Sequence, residues 1–340
     1  MEIKSSRSIG IWYVSPQRLC NFHCSYCVSV NDYAKSDRVS WRTDEERASF
    51  DGVVNWLGTR GFRAGIRLAT VGEPFMSDVF LRRAGWLTRR ENVDFVELLT
   101  NASLLRKRLP RLAEYGELRK LSLWATYHHT QMPIEKFLSN VTYAHGELGC
   151  FVVVNGLLFP DSIASLRELA AACKEMQVPF NLDLGYSPET PRGRYSTIRE
   201  MLPISAEEGW FEAAINLGAN ERLLNVNRVA LGSLAGLSCS AGCDYFFIGT
   251  NGDIYPCSRY CMLGIHRLGN VMDPAFELRP RARRWAPCEG VCSCCNKEDF
   301  LHLEIAEGLT RSGASSLGWV GGTWEDQGNA TTIRSRMSGE

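Results

Sequence analysis

The sequence predicts an α/β fold, a partial (β/α)6 barrel of parallel strands followed by a small cysteine-rich region. Three observations carry this reading. Short β-branched or aromatic runs alternate with helical patterns six times between residues 9 and 185, and strands separated by helices imply right-handed crossovers and a parallel sheet. A chain of 340 residues suits one barrel-sized domain and a smaller one. Eleven of the 13 cysteines fall in two clusters, one after the first strand and one late in the chain.

Taken in order, Ile9 to Val14 (IGIWYV) is the first strand, ending before Ser15-Pro16. A helix is predicted over Glu45 to Leu57, with Thr43 or Asp44 as its cap. Gly65 to Thr70 is the second strand, and Ser77 to Arg89 a helix with Ser77 available as cap. Val93 to Leu99 is the third strand. Leu104 to Tyr115 is a helix expected to break at Pro110. Leu118 to Ala125 is the fourth strand, and Ile134 to Leu148 a helix entered at Pro133. Cys150 to Leu158, a helix over Ile163 to Met176, and Phe180 to Leu184 complete the six units. The domains expected are a barrel over residues 1–195, a helical bridge over 196–238, a cysteine-rich domain over 239–300 and a Gly-, Ser- and Thr-rich flexible tail over 301–340.

Composition narrows the function. The formal net charge is zero, so there is no electrostatic footprint for nucleic acid. The charged start has no apolar stretch and cleavage site behind it, as a signal peptide would. No apolar run is long enough to span a bilayer. The expectation is a cytoplasmic protein with no nucleic-acid or membrane partner. In a reducing compartment, 13 cysteines point to metal rather than disulfides. Cys150 and Cys173 stand alone and read as small buried hydrophobes.

The loop after the first strand reads Cys20-Asn21-Phe22-His23-Cys24-Ser25-Tyr26-Cys27. Thiolates are the usual ligands of iron–sulfur clusters, and three of them in one loop can hold three corners of a cubane. A zinc site is the alternative, but zinc motifs normally come as two pairs of ligands. Cys-x3-Cys-x2-Cys with an aromatic before the last cysteine resembles the signature of the radical S-adenosylmethionine (SAM) enzymes. The resemblance implies that Cys20, Cys24 and Cys27 hold a [4Fe-4S] cluster whose open iron chelates SAM, with Tyr26 beside it. It also implies a (β/α)6 fold with the cluster in this loop. Reduction, by a partner such as flavodoxin or ferredoxin, would cleave SAM to a 5′-deoxyadenosyl radical that takes a hydrogen atom from substrate.

Other segments follow the strands where ligands of parallel α/β folds gather. Thr70-Val71-Gly72-Glu73-Pro74 resembles the family's Gly-Gly-Glu-Pro, with Val71 in place of the first glycine; the match implies that Gly72 and Glu73 bind the amino group of SAM. Thr100-Asn101-Ala102 resembles a Thr-Asn-Gly, so Asn101 either faces the cofactor or caps the next helix. Ser122 matches a position that contacts the SAM ribose, and Asn155 is a further SAM candidate; each reads equally well as a satisfied strand-end polar group. His128 and His129, directly after a strand, are candidates to donate to a substrate hydroxyl or carry a proton, with a surface loop as the alternative. In Tyr186 to Tyr195 (YSPETPRGRY), Glu189, Arg192 and Arg194 make a polar loop whose arginines suit a carboxylate or phosphate, or are simply solvated.

The second cluster opens at Cys239-Ser240-Ala241-Gly242-Cys243. A hairpin over Asp244 to Tyr255 follows, with Asn251-Gly252 at its turn, then Cys257, Cys261, Leu268-Gly269-Asn270 and Cys288-x3-Cys292-Ser293-Cys294-Cys295. This resembles the SPASM and twitch extensions of radical SAM enzymes. The late cysteine run of the two-cluster form is missing, which implies one auxiliary [4Fe-4S] cluster. By matching, its ligands are Cys239, Cys257, Cys292 and Cys295, with Cys243, Cys261, Cys288 and Cys294 as close rivals; a zinc ribbon is the other reading. The expected substrate is a small molecule (a sugar, nucleoside or aminocyclitol), since the first strand begins by residue 9 with no peptide-recognition domain ahead of it. Maturation of a ribosomal peptide is the alternative, and a non-catalytic metal module or electron carrier the third.

Overall fold

Residues 8–27, 39–184, 209–219, 221–230, 234–289, 294, 299 and 301–306 are described by the computed structural model. The six predicted runs form β1 (Ile9–Ser15), β2 (Ala64–Thr70), β3 (Val93–Thr100), β4 (Leu121–Tyr127), β5 (Phe151–Leu158) and β6 (Phe180–Leu184). Each strand is parallel to the next in sequence order. The connections carry α1 (Asp44–Thr59), α2 (Asp78–Thr88), α3 (Leu105–Tyr115), α4 (Ile134–Thr142) and α5 (Ile163–Glu175). This is the predicted partial barrel.

Local chemistry sets the helix ends. The Thr43 hydroxyl accepts from the Glu46 amide at 3.2 Å, and Asp44, Glu45 and Glu46 place negative charge on the first turn of α1. The Ser77 hydroxyl accepts from the Phe80 amide and starts α2. Pro110 does not break α3, contrary to expectation. The ring removes one bond to the carbonyl of Arg106, and both residues are exposed, so water can satisfy that group. The helix after β4 changes character at Tyr143–Glu147, which form a π turn, and ends where Gly149 takes a φ of 65°.

Strand alternation divides the sheet into two faces. On one face, Tyr13 stacks on Phe50 of α1, Tyr127 packs on Phe137 of α4, and Gly156 leaves room for Leu166 of α5. Ile66, Leu68, Val96 and Leu98 are fully buried in this layer, where each side chain contributes about 1.5–3 kcal/mol by leaving water. The opposite, concave face carries a row set by the pairing register: Trp12, Arg67, Glu97 and Ser122 in successive strands. Higher up, Thr126, Asn155 and Asn181 are neighbours in β4, β5 and β6.

Beyond β6 come α6 (Trp210–Asn216), α7 (Glu221–Ala230) and β7 (Ser238–Cys239). The predicted hairpin is present as β8 (Tyr245–Ile248) and β9 (Asp253–Tyr255), with Gly252 at φ 82° in the turn. β8 docks in parallel on the free edge of β1, so the hairpin and β10 (Gly269–Asn270) extend the barrel sheet to nine strands among the described residues. α8 (Ser258–Leu263) follows β9, and β11 (Ala286–Pro287) pairs with β7. No helix among the described residues is long and apolar enough to cross a membrane.

Candidate active site

The Cys20–Cys27 loop leaves the C-terminal end of β1 and is strapped to the turns after β2 and β3. The carbonyls of Gln17 and Leu19 accept from the amides of Gly72 and Glu73, both at 2.9 Å. A Cβ on Gly72 would lie 2.4 Å from the carbonyl oxygens of Arg18 and Leu19, so the two segments meet this closely only at glycine. The Arg18 guanidinium grips both Glu46 oxygens, at 2.5 and 2.7 Å, and anchors the loop to α1.

Glu73 is the hub between the two turns. Its carboxylate accepts from the Thr100 hydroxyl at 2.7 Å, the Asn101 amide at 2.8 Å and the Phe75 amide at 3.2 Å. Burial nevertheless pushes its carboxyl up to about 7, against the opposing effect of those three donors. Asn101 does not cap α3, whose cap position is Leu104 without a side-chain bond. Its side-chain oxygen accepts from the Ser103 amide, and its NH2 donates to Asn21 at 3.1 Å. Asn21 donates in turn to Ser103. Arg18, Glu46 and Asn21 escaped sequence reasoning because nothing local pairs them with their distant partners.

Within the loop, the Phe22 amide donates to Cys20 Sγ at 3.4 Å and the Cys27 amide to the Cys24 carbonyl. Burial first, with partly opposing amide bonds, pushes Cys20 up to about 11; burial and then the charges of Cys27 and Cys20 push Cys24 up to about 12. Thiols so placed stay protonated at neutral pH and ionise when a bound cation supplies positive charge. Among the described residues, no three His, Cys, Asp or Glu side chains converge as ligands of one metal ion. A four-iron cluster takes each thiolate on a different iron, so its ligands stand apart, and the donor set here fits such a group.

The two histidines after β4 sit against this loop in different ways. His128 Nδ1 lies 3.6 Å from Cys24 Sγ and 3.2 Å from the Tyr26 hydroxyl. His129 stacks on the Tyr26 ring and lies 3.4 Å from Asp161. Burial holds His128 down at about 4.

Ser122 and Asn155 lie on the concave face, but Ser122 is the second residue of β4, at the strand's N-terminal end rather than at the edge that carries the cysteine loop. The Ser122 hydroxyl donates to Glu97 at 3.4 Å, and Glu97 pairs with Arg67 at 2.6 Å while Arg67 lies over the Trp124 ring. Asn155 donates to Thr126 and accepts from Asn181 at 2.6 Å, and Asn181 also donates to Asp183. The sequence signal for this inner row was single polar residues within apolar strands, such as Arg67 in AGIRLAT and Glu97 in VDFVELLT. Glu189, Arg192 and Arg194 lie outside the described residues.

In the second region, Cys239, Cys257, Cys288 and Cys294 line one cavity of about 320 Å³ with Tyr260 and His266. Pairing gathers them. β7 against β11 sets Cys239 opposite Ala286, the Cys288 amide donates to the Leu237 carbonyl at 2.7 Å, and the Cys294 amide donates to the Ala230 carbonyl at 2.8 Å. Asp299, buried, accepts from the Ser258 amide and hydroxyl and from Tyr245, fixing the turn that follows Cys257. Burial pushes Cys239 up to about 12 and Cys257 and Cys294 well above the thiol range. Cys243 and Cys261 do not line the cavity. Cys292 and Cys295 lie outside the described residues.

No protein-family model matches the sequence, and no curated protein is similar to it in sequence. Solved structures do share its fold. SuiB from Streptococcus suis bound to the precursor peptide SuiA aligns over 93% of this chain and 75% of SuiB, at 15% identity and a TM-score of 0.51. SuiB bound to S-adenosylmethionine aligns over 89% and 72%, at 13% identity and 0.50. The anSMEcpe protein with bound AdoMet aligns over 78% of each chain, at 17% identity and 0.49.

Proposed function

We propose that this chain is a radical SAM enzyme, with a [4Fe-4S] cluster on Cys20, Cys24 and Cys27 and an auxiliary [4Fe-4S] cluster in the second cysteine region. The observation that carries this is the three-thiol loop at the C-terminal end of β1, held by Gly72 and Glu73. The shared fold with SuiB, which is bound to S-adenosylmethionine in one of its structures, supports it. When bound, the cluster and SAM supply a 5′-deoxyadenosyl radical that abstracts a hydrogen atom from an unactivated carbon. The protein's part is placement: Gly72, Glu73 and Asn101 fix the loop edge, Asn155 is offered to the cofactor, Ser122 acts from lower in the barrel through its bond to Glu97, and the barrel wall excludes water. The electron comes from a flavodoxin or ferredoxin type of partner.

For the auxiliary site, the ligands offered by matching are Cys239, Cys257, Cys292 and Cys295; Cys239 and Cys257 line the cavity, as do the rivals Cys288 and Cys294. Alanine substitution of a true ligand lowers iron by about four atoms per chain, whereas Cys243→Ala and Cys261→Ala leave it unchanged.

The substrate reading is a small hydroxylated natural-product intermediate, a sugar, nucleoside or aminocyclitol. Its support is the polar inner row of Thr126, Asn155, Asn181 and Asp183, where a barrel interior is ordinarily filled by Val, Ile and Leu. In size and layout the chain is similar to the cytosylglucuronate decarboxylase of blasticidin S assembly, which suggests decarboxylation or dehydration of cytosylglucuronate. A second reading, maturation of a ribosomal peptide, draws on the fold shared with SuiB bound to SuiA. The test is anaerobic turnover of iron-reconstituted protein with dithionite and SAM, with and without cytosylglucuronate. Substrate-dependent 5′-deoxyadenosine with loss of carbon dioxide or water supports the first reading. Slow, substrate-independent 5′-deoxyadenosine sinks that substrate, and none at all with iron present sinks the radical SAM assignment.

A further inference from the structure

We propose that His128 is a positioning residue that donates an N–H···S hydrogen bond to Cys24 and so makes the first cluster easier to reduce. This rests on the reading of Cys20, Cys24 and Cys27 as cluster ligands. One ring nitrogen of His128 faces two groups, Cys24 Sγ at 3.6 Å and the Tyr26 hydroxyl at 3.2 Å. A metal-bound thiolate can only accept, so the nitrogen facing it must carry the proton. The same N–H reaches the Tyr26 oxygen as a second acceptor.

The ring is held for this task from several sides. Phe22 packs edge-on against it at a centroid distance of 5.9 Å, and Tyr26 lies nearly parallel to it at 5.8 Å. The His128 carbonyl accepts from the amides of Gln131 and Met132. The Gln131 side-chain oxygen then accepts from the His23 amide at 3.0 Å, inside the cysteine loop. The turn after β4 is therefore tied to the loop once through the imidazole and once through Gln131, which fixes nitrogen against sulfur. His129, one residue on, makes no such contact and pairs outward with Asp161.

A hydrogen bond to a ligating sulfur draws charge from the cluster and stabilises its reduced form, which raises the potential. Outer partners of metal ligands commonly act this strongly. The step that benefits is entry of one electron from a low-potential donor.

The test compares wild type with His128→Phe, which keeps a flat ring without N–H, and His128→Asn, whose side-chain NH2 falls near the position of Nδ1. Each protein is reconstituted anaerobically and assayed for iron and sulfide. The first cluster is followed by EPR through the signal that changes when SAM is added, during titration with dithionite. His128→Phe is expected to load fully yet show an about tenfold lower ratio of reduced to oxidised cluster at the same potential, equivalent to about 59 mV for one electron. His128→Asn is expected to recover most of that loss. An unchanged ratio in fully loaded His128→Phe, or no recovery in His128→Asn, overturns the proposal. Should His128→Phe not load, wild type labelled with 15N-histidine decides: a 15N coupling to the reduced, SAM-sensitive cluster supports the bond, and its absence overturns it. Failure of wild type to bind iron through Cys20, Cys24 and Cys27 would instead overturn the underlying metal reading.

Discussion

The two cysteine regions reach similar thiol chemistry by opposite routes. The first places three thiols within eight residues and lets the sheet hold the loop: Gln17 and Leu19 on Gly72 and Glu73, Arg18 on Glu46, Asn21 on Asn101. The second draws Cys239, Cys257 and the Cys288–Cys294 pair from three separate segments, and chain pairing brings them to one cavity. In the first, order comes from contacts between the loop and the elements around it. In the second, a bound group would close long loops, and closing long loops contributes more to folding.

The largest expected effect tests that asymmetry directly. Stripping iron with a chelator should leave slow amide exchange in β2 to β5 and should speed it strongly across residues 238–303. Equal loss in both regions, measured by hydrogen-exchange mass spectrometry, would erase the distinction. Next comes Gly72→Ala. The new methyl meets two carbonyl oxygens at 2.4 Å, so the cysteine loop must move away from the Gly-Glu-Pro turn. Overpacking of this kind costs about 1–3 kcal/mol, and SAM binding by calorimetry should weaken about 10- to 100-fold while residues 238–303 keep their exchange rates.

Glu73→Gln is a smaller probe of the same strap. Three donors converge on the carboxylate, so an NH2 in place of one oxygen leaves at least one buried donor unpaired. The expected loss is about 1–3 kcal/mol by urea unfolding, and no loss would show that Glu73 is not the hub. An effect confined to acid pH concerns the second region. His302 stacks on Tyr245, bonds Ser240 beside Cys239, and is lowered by burial from 6.5 to about 4. Below 6.5 the unfolded chain takes up a proton that the folded chain refuses. Its contribution to stability is therefore complete above about 6.5 and fades as the pH falls toward 4. Urea midpoints should drop across that window, and His302→Gln should flatten the drop.

The same contrast explains what could be read from sequence. All six barrel strands, the Thr43 and Ser77 caps and the hairpin at Gly252 were legible, because each rests on neighbours within a few residues. Pro110 misled: α3 runs through it, and the Arg106 carbonyl it leaves unbonded lies on an exposed face where water can satisfy it. In the first loop, the spacing of Cys20, Cys24 and Cys27 with Tyr26 before the last, and the family signature it resembles, nominated the three thiols. In the second, Cys288 and Cys294 stand within a few residues of Cys292 and Cys295, and spacing cannot choose between such neighbours. Cys288 and Cys294 line the cavity because β11 and α7 fix the segments that carry them, while Cys292 and Cys295 lie outside the described residues. The contacts of Arg18 with Glu46 and of His128 with Cys24 cross 28 and 104 residues, and no local pattern announces either.

The parallel pairing of β8 with β1 sets an order of events on the ribosome. β1 emerges before β8, and β2 can join it early. Its other edge waits until the hairpin is made, since Gly10 is matched by Tyr245. Until then the β1 side of the nascent barrel carries an open row of amides and carbonyls, the kind of edge that recruits strands from other molecules. Chains stopped before residue 238 never cover it, and they are the forms most exposed to aggregation and to surveillance by chaperones.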